Sequence, residues 1–307
     1  MSVWRTGRKN IRSACFRIYS DFFMPSRLAV YEQMLQEALE QGYEVHSVAS
    51  FWEVVKAGGP VTGKRYLILR HDVDTDVKTA RMMWRIESKW KVKASYYFRL
   101  STLDVPFMQE ICRSGSEASY HYEEIATIGK RRGLVTREQI QEMLPLIRRE
   151  FARNVQNIRE WTGLPIHTVA SHGDFYNRKL EVINYEILKD RGLRDELGIE
   201  LETYDDEMMK HVTARHSDTL APLFWKPLDP LLSLRNRESV VYVLTHPRHW
   251  RTDVLGNAWD NAKRLWEEIR YQYHKRAAGM KIRHRLCIPM LWEVEWADPL
   301  KLMAAVL

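Results

Sequence analysis

The sequence predicts an α/β chain folded as a (β/α) barrel, and three observations carry that expectation. The chain has 307 residues, 45% hydrophobic and 28% charged, which is ordinary for a globular protein and leaves room for one large core. Helix-type and strand-type patterns alternate along it. Four of the strand candidates end in a cluster rich in His or Asp, at the end where parallel (β/α) sheets collect their sites.

Taken in order, Leu28 to Glu40 sets apolar residues at helical intervals, follows Pro25 and Ser26, and stops before Gly42. Gly58 to Lys64 is a turn-rich break. Tyr66 to Leu69 then reads as a buried strand that ends in Arg70, His71, Asp72, Val73 and Asp74. Asp76 to Trp90 is a helical pattern, Ala94 to Phe98 a strand, Val105 to Cys112 a helix, and Ala118 to Tyr120 a short strand running into His121. Thr136 and Gln139 form a capping box that starts a long helix reaching about Trp161, which Pro145 is expected to kink or divide. Thr168 to Ala170 is a strand ending in Ser171-His172-Gly173, and a helix is expected over Leu180 to Asp190. After a less regular region to Pro230, Ser239 to Leu244 is a strand ending in Thr245-His246-Pro247, and a last helix spans about Asn257 to Ala277. The domain reading is a basic leader over residues 1–27 and one barrel over 28–307 with a C-terminal helical segment.

The net charge of +7 is local. Met1 to Arg27 contributes +5 and Lys263 to Arg285 contributes +6, leaving the remainder at −4. A protein built to coat nucleic acid is not expected from that distribution. The basic N-terminus has no apolar stretch behind it, so a secretory signal is not expected. The longest stretch free of Lys, Arg, Asp and Glu runs only from Trp161 to Gly173, too short to cross a bilayer. Cys15, Cys112 and Cys287 are odd in number and far apart, which fits a reducing cytoplasm and points to none of them as a zinc ligand.

Asp72 and Asp74, two apart on an extended strand end, project to one side while His71 faces the other. Two carboxylates that close cannot both ionise cheaply without a cation or a donor beside them. One solution is a divalent metal held by one acid, with the other free to act as general base toward water. The alternative for Asp74 is that it caps the following helix.

The runs LRHDVD, KASYYFR, GSEASYHYEE, SHGDFYNRK and VVYVLTHPRHW, spread in this order from Tyr66 to Trp250, resemble the polysaccharide deacetylase superfamily (NodB-like, carbohydrate esterase family 4), and within it the WbmS-type branch. The resemblance implies a distorted (β/α) barrel that binds a divalent metal, often zinc, and removes acetyl groups from sugars. It implies Asp72 as general base, Asp74 and His121 as metal ligands, and His246 as the acid that protonates the leaving group. Asp218 is its implied partner. The family pattern places a second histidine where this chain has Ile125, so Glu123 or Glu124 and His172 are candidates to complete the ligand set. Ser116 stands where relatives commonly carry His. Arg70 is a candidate ion-pair partner for Asp72, and Trp225, Trp250 and Tyr176 offer aromatic faces to a sugar ring or to the core. His249 and Arg178 are candidates to touch substrate.

The function these readings lead to is a metal-dependent hydrolase deacetylating a sugar or polysaccharide precursor in glycan biosynthesis. Its expected partners are an acetylated sugar, a nucleotide-sugar or a lipid-linked glycan, with no nucleic acid. It is expected in the cytoplasm, the basic N-terminus touching the inner membrane face electrostatically. The alternative, supported by Ile125 and Ser116, is an inactive deacetylase-fold protein that binds a glycan or a partner.

Overall fold

The computed structural model describes residues 14–279. Parts of the basic leader and of the basic C-terminal segment, and Cys287, lie outside them. After a π-helical turn at Tyr19–Phe23 come helix α1 (Leu28–Glu40), strand β1 (Tyr43–His46), α2 (Val48–Lys56) and β2 (Arg65–Val73). The chain continues through α3 (Val77–Trp90), β3 (Ser95–Phe98), α4 (Val105–Arg113), β4 (Glu117–Tyr122), α5 (Glu124–Arg132), α6 (Arg137–Thr162) and β5 (Thr168–Ser171). The last third holds α7 (Phe175–Leu180), α8 (Arg191–Leu197), β6 (Leu201–Glu202), α9 (Asp206–Met209), β7 (Ala214–Asp218), β8 (Trp225–Lys226), α10 (Pro230–Arg235), β9 (Val240–Thr245) and α11 (Val254–Gly279).

The strands form one nine-stranded sheet in the order β6-β5-β4-β3-β2-β9-β7-β8, with β1 added beside β2. All pairs are parallel except β7 with β8. The path begins at β6 and ends at β8 with no bridge between them among the described residues, so the sheet is open, and it curls into the distorted (β/α) barrel that the sequence predicts. β1 and β3 share one edge of β2, β1 against Arg65–Ile68 and β3 against Arg70–Val73. From Tyr66 to Val73 every residue of β2 is buried, which explains its near-continuous apolar run.

Pleating sorts β2 onto two faces. Leu67, Leu69 and Val73 join the core between sheet and helices, whereas Tyr66 and Ile68 join a smaller cluster with Tyr97, Tyr242 and Leu244 on the inner face. Helix α6 supplies much of the outer core. Its buried residues Ile140, Leu144, Ile147, Phe151, Val155 and Ile158 recur every three or four positions, and each such side chain contributes about 1.5–3 kcal/mol on burial. Phe151 stacks on Tyr120 with ring centroids 6.1 Å apart.

Several expectations are corrected. Helix α6 runs unbroken through Pro145, which lies on its exposed side, where water can take the carbonyl that loses its partner. The helix expected over Leu180 to Asp190 is two pieces, because α7 stops at Glu181 in the left-handed region (φ 54°) and a 3-10 segment follows at Asn184–Lys189. Strand β1 and helix α2 were not predicted. The Tyr19–Phe23 turn is tied to α11, where Asn257 Nδ2 donates to the Asp21 carbonyl at 2.8 Å.

Candidate active site

The site forms at the C-terminal ends of β2, β4, β5, β7 and β9. Continuing the pleat of β2, Arg70, Asp72 and Asp74 fall on the inner side and His71 on the outer. His71 is wholly buried, with Nε2 2.7 Å from Glu87 Oε1 and Nδ1 2.5 Å from Thr245 Oγ1. The following helix α3 is capped by Asp76, whose carboxylate accepts from Thr79 N at 2.9 Å, so Asp74 is left free of that duty.

Asp74, His121 and His172 converge. Asp74 Oδ1 lies 3.3 Å from His121 Nε2 and 3.0 Å from His172 Nδ1, and the two ring nitrogens are 3.1 Å apart. Strand β4 delivers His121, and its neighbour β5 delivers His172 in register, Tyr122 lying opposite Ser171. His121 Nδ1 donates to the Ala170 carbonyl at 2.9 Å, which leaves the Nε2 lone pair pointing into the cluster. Asp74 Oδ1 is buried and has no hydrogen-bond donor. Three electron-rich atoms therefore meet without enough protons to satisfy them, an arrangement that calls for positive charge. Burial alone would push the Asp74 carboxyl up; positive charge on His172 and His121 holds it well below the usual carboxylate range, the same demand that a bound cation would meet. One carboxylate and two imidazoles are a zinc-type donor set, and the edge of a zinc tetrahedron with bonds of about 2.0–2.1 Å is about 3.3–3.5 Å, close to the observed spacings. The residues present fit a divalent metal.

Asp72 sits beside this cluster, its Oδ2 3.5 Å from His121 Nε2. Both its oxygens accept from Arg70, Nε to Oδ1 and Nη2 to Oδ2, each at 2.7 Å, and both residues are buried. Arg70 Nη1 also donates to Thr203 Oγ1 at 2.7 Å. Burial raises the Asp72 carboxyl, but Arg70 and His121 outweigh it, so Asp72 is held ionised below its ordinary range.

His246 ends β9 and meets Asp218 at the end of β7. His246 Nδ1 is 2.7 Å from Asp218 Oδ1, and the His246 backbone N–H and Trp250 Nε1 donate to Oδ2 at 2.8 and 2.9 Å. His249 Nδ1 lies 3.1 Å from the same Oδ1. Burial lowers the His246 pKa, but the Asp218 carboxylate outweighs it and raises the value to about 9. Asp218 is correspondingly held far below its usual range.

Other predicted residues take different places. Both oxygens of Glu123 accept from Arg99, at 2.9 and 2.6 Å, although Glu123 also lies near His172 and Asp174 in a second carboxylate–imidazole group. Glu124, fully enclosed, accepts from Tyr120 and Asn154, and burial raises it to about 7. Ile125 is buried in the outer core, away from the donors. Ser116 precedes β4 at the opposite end of the strand from His121, accepting from Ala94 N. Trp225, Trp250 and Tyr176 are buried in the core, so their faces are spent on packing and not offered to a sugar. Arg178 is exposed and donates to the Gly173 carbonyl. Arg99 as the clamp on Glu123, and Trp250 as a donor to Asp218, were not anticipated. Their only sequence signal is that each closely follows a strand.

No protein-family model matches the chain, and no curated protein matches it. Among solved structures, the chain is similar to the Streptococcus pyogenes deacetylase PplD in complex with acetate, at 10% identity over 72% of this chain and 84% of that one, with a TM-score of 0.40. It is similar to the catalytic domain of a peptidoglycan N-acetylglucosamine deacetylase from Eubacterium rectale, at 12% identity over 70% and 90% of the two chains, TM-score 0.37. It is also similar to a CE4 family pseudoenzyme from Bacillus anthracis, at 13% identity over 69% and 62%, TM-score 0.35.

Proposed function

We propose that the protein is a metal-dependent hydrolase that removes acetyl groups from a sugar or a glycan precursor. The observation that carries this reading is the convergence of Asp74, His121 and His172 around an unsatisfied buried oxygen, with a second carboxylate and an Asp-paired histidine at neighbouring strand ends. The acetyl group and the sugar come from the motif resemblance alone. Asp74, His121 and His172 would hold the metal, with His172 taking the part of the histidine missing at Ile125. When bound, a divalent ion such as zinc supplies a Lewis acid that polarises the acyl oxygen and acidifies water.

The chain's own groups do the rest. Asp72, kept ionised by Arg70, is oriented to accept a proton from the attacking water. His246, protonated at neutral pH through Asp218, donates a proton to the departing amine or alkoxide. Trp250 Nε1 and the His246 backbone N–H fix the Asp218 carboxylate, which aims the imidazole through the single bond to Nδ1.

The test is metal content together with acetate release from a panel of N- and O-acetylated sugars, nucleotide-sugars and lipid-linked glycans. Stoichiometric zinc is expected, with turnover lost in Asp72→Asn and zinc lost in Asp74→Ala or His172→Ala. Absence of both metal and acetate release sinks the proposal. A second reading, a glycan-binding protein without turnover, is favoured by the engagement of both Asp72 oxygens with Arg70. Zinc binding and glycan binding without acetate release would select it.

A further inference from the structure

Helix α11 turns its polar side inward. Its two buried residues are Asn257 and Tyr271. Its acids are engaged: Asp260 faces Arg248 at 3.9 Å, Glu267 pairs with Lys130 at 2.8 Å, and Glu268 with Arg264 at 3.1 Å. On the opposite side Leu255, Trp259, Ala262, Trp266, Ile269 and Tyr273 follow one another at alternating intervals of four and three, which places them on one face. That face is exposed: Leu255 by 83%, Trp266 by 50%, Ile269 by 54% and Tyr273 by 56%. A surface helix ordinarily buries such a stripe.

Charge indicates what it meets. Lys263 and Arg276 are exposed and flank the stripe on its two sides, whereas the acids Asp260, Glu267 and Glu268 lie on the other side of the helix, so the rim of the apolar face is positive. We propose that this face of α11 is a docking surface for an anionic lipid bilayer. Leu255 and Ile269 would enter the acyl boundary, Trp266 and Tyr273 would lie at headgroup depth, and the Lys and Arg side chains would meet lipid phosphates. A second copy of the chain laid on the same face would bring the basic rims together, which disfavours self-pairing. The inference is independent of the hydrolase reading and goes beyond it: membrane binding without acetate release, or the reverse, separates the two.

The test uses the full chain with sedimentable vesicles of phosphatidylglycerol and phosphatidylethanolamine, and with vesicles of phosphatidylcholine alone. Binding to the anionic vesicles at least about tenfold tighter than to the neutral ones is expected, weakened by salt and accompanied by a blue shift of tryptophan emission. Trp266→Glu combined with Ile269→Glu should abolish sedimentation while leaving the circular dichroism spectrum unchanged. If that variant fails to fold, Lys263→Glu with Arg276→Glu serves as the second test, and selective loss of anionic-vesicle binding is expected. Equal binding to both vesicle types, or undiminished binding by the folded variants, overturns the proposal. A wild-type dimer that ignores vesicles and becomes monomeric in the first variant also overturns it and identifies a second copy as the occupant.

Discussion

His246 and Asp218 show how one contact sets a protonation state. Burial lowers the imidazole's pKa, but the Asp218 carboxylate, followed by Asp74 and Asp72, outweighs it and raises the value to about 9. Because the folded value lies above the ordinary 6.5, the pair's contribution to stability is complete below pH 6.5 and is lost as pH rises through about 9. In metal-free protein, NMR titration should place the His246 midpoint near 9, and Asp218→Asn should lower it. A midpoint that does not move would remove Asp218 as the orienting acid. The same ionisation predicts activity that falls on the alkaline side as the imidazolium loses its proton, a limb that a pH–rate profile should show and that Asp218→Asn should move to lower pH. Arg70 poses the complementary case. Arg70→Ala strands a buried carboxylate, and urea unfolding should show a loss of about 3–5 kcal/mol, most of it recovered when Asp72→Leu is added to Arg70→Met. A loss near zero would mean that Asp72 does not depend on its guanidinium partner.

At the scale of elements, helix packing imposes its own limits. Gly129 in α5 lies so close to Tyr176 of α7 that an added Cβ would collide with the phenol ring, which itself donates to the Leu134 carbonyl at 2.7 Å. Gly129→Ala should therefore destabilise by about 1–3 kcal/mol in thermal unfolding, although alanine gains about 1 kcal/mol in helix propensity. Adding Tyr176→Ala should relieve the collision, so the two losses should not add. Strand ends govern the metal donors in the same way. His172→Ala should weaken zinc binding, and adding Ile125→His should not restore it, because position 125 faces the outer core; calorimetric recovery of affinity would contradict that. Much of this level was legible in the chain. The apolar run of β2 located the central strand, Thr136 and Gln139 located the start of α6, and the polar residues following buried strands located the candidate site. Four-residue β1, by contrast, carries Glu44 and His46 in a segment without a clear period. Arg99 with Glu123, and Trp250 with Asp218, are encounters across the sheet that no local spacing announces.

For the molecule as a whole, a metal that binds only the folded chain must stabilise it. Zinc at 100 times its Kd is worth about 2.7 kcal/mol, a rise in Tm of several degrees that should vanish in His172→Ala and return to baseline on chelation. An unchanged Tm at saturating zinc would argue that the three donors do not act together. Strand β2 also constrains how the whole sheet can be assembled. Its inner face commits Arg70 and Asp72 to each other, and its outer face commits His71 to Glu87 and Thr245, with Tyr31 and Tyr96 donating to the same Glu87. Sliding the strand by one residue would turn the ion pair into the aromatic layer and the imidazole into the barrel, leaving charged groups without partners on both sides at once. The two adjacent polar networks therefore act as a proofreading device for alignment: single-residue insertions or deletions between Tyr66 and Asp72 should yield no folded protein, even where the apolar count of the strand is unchanged.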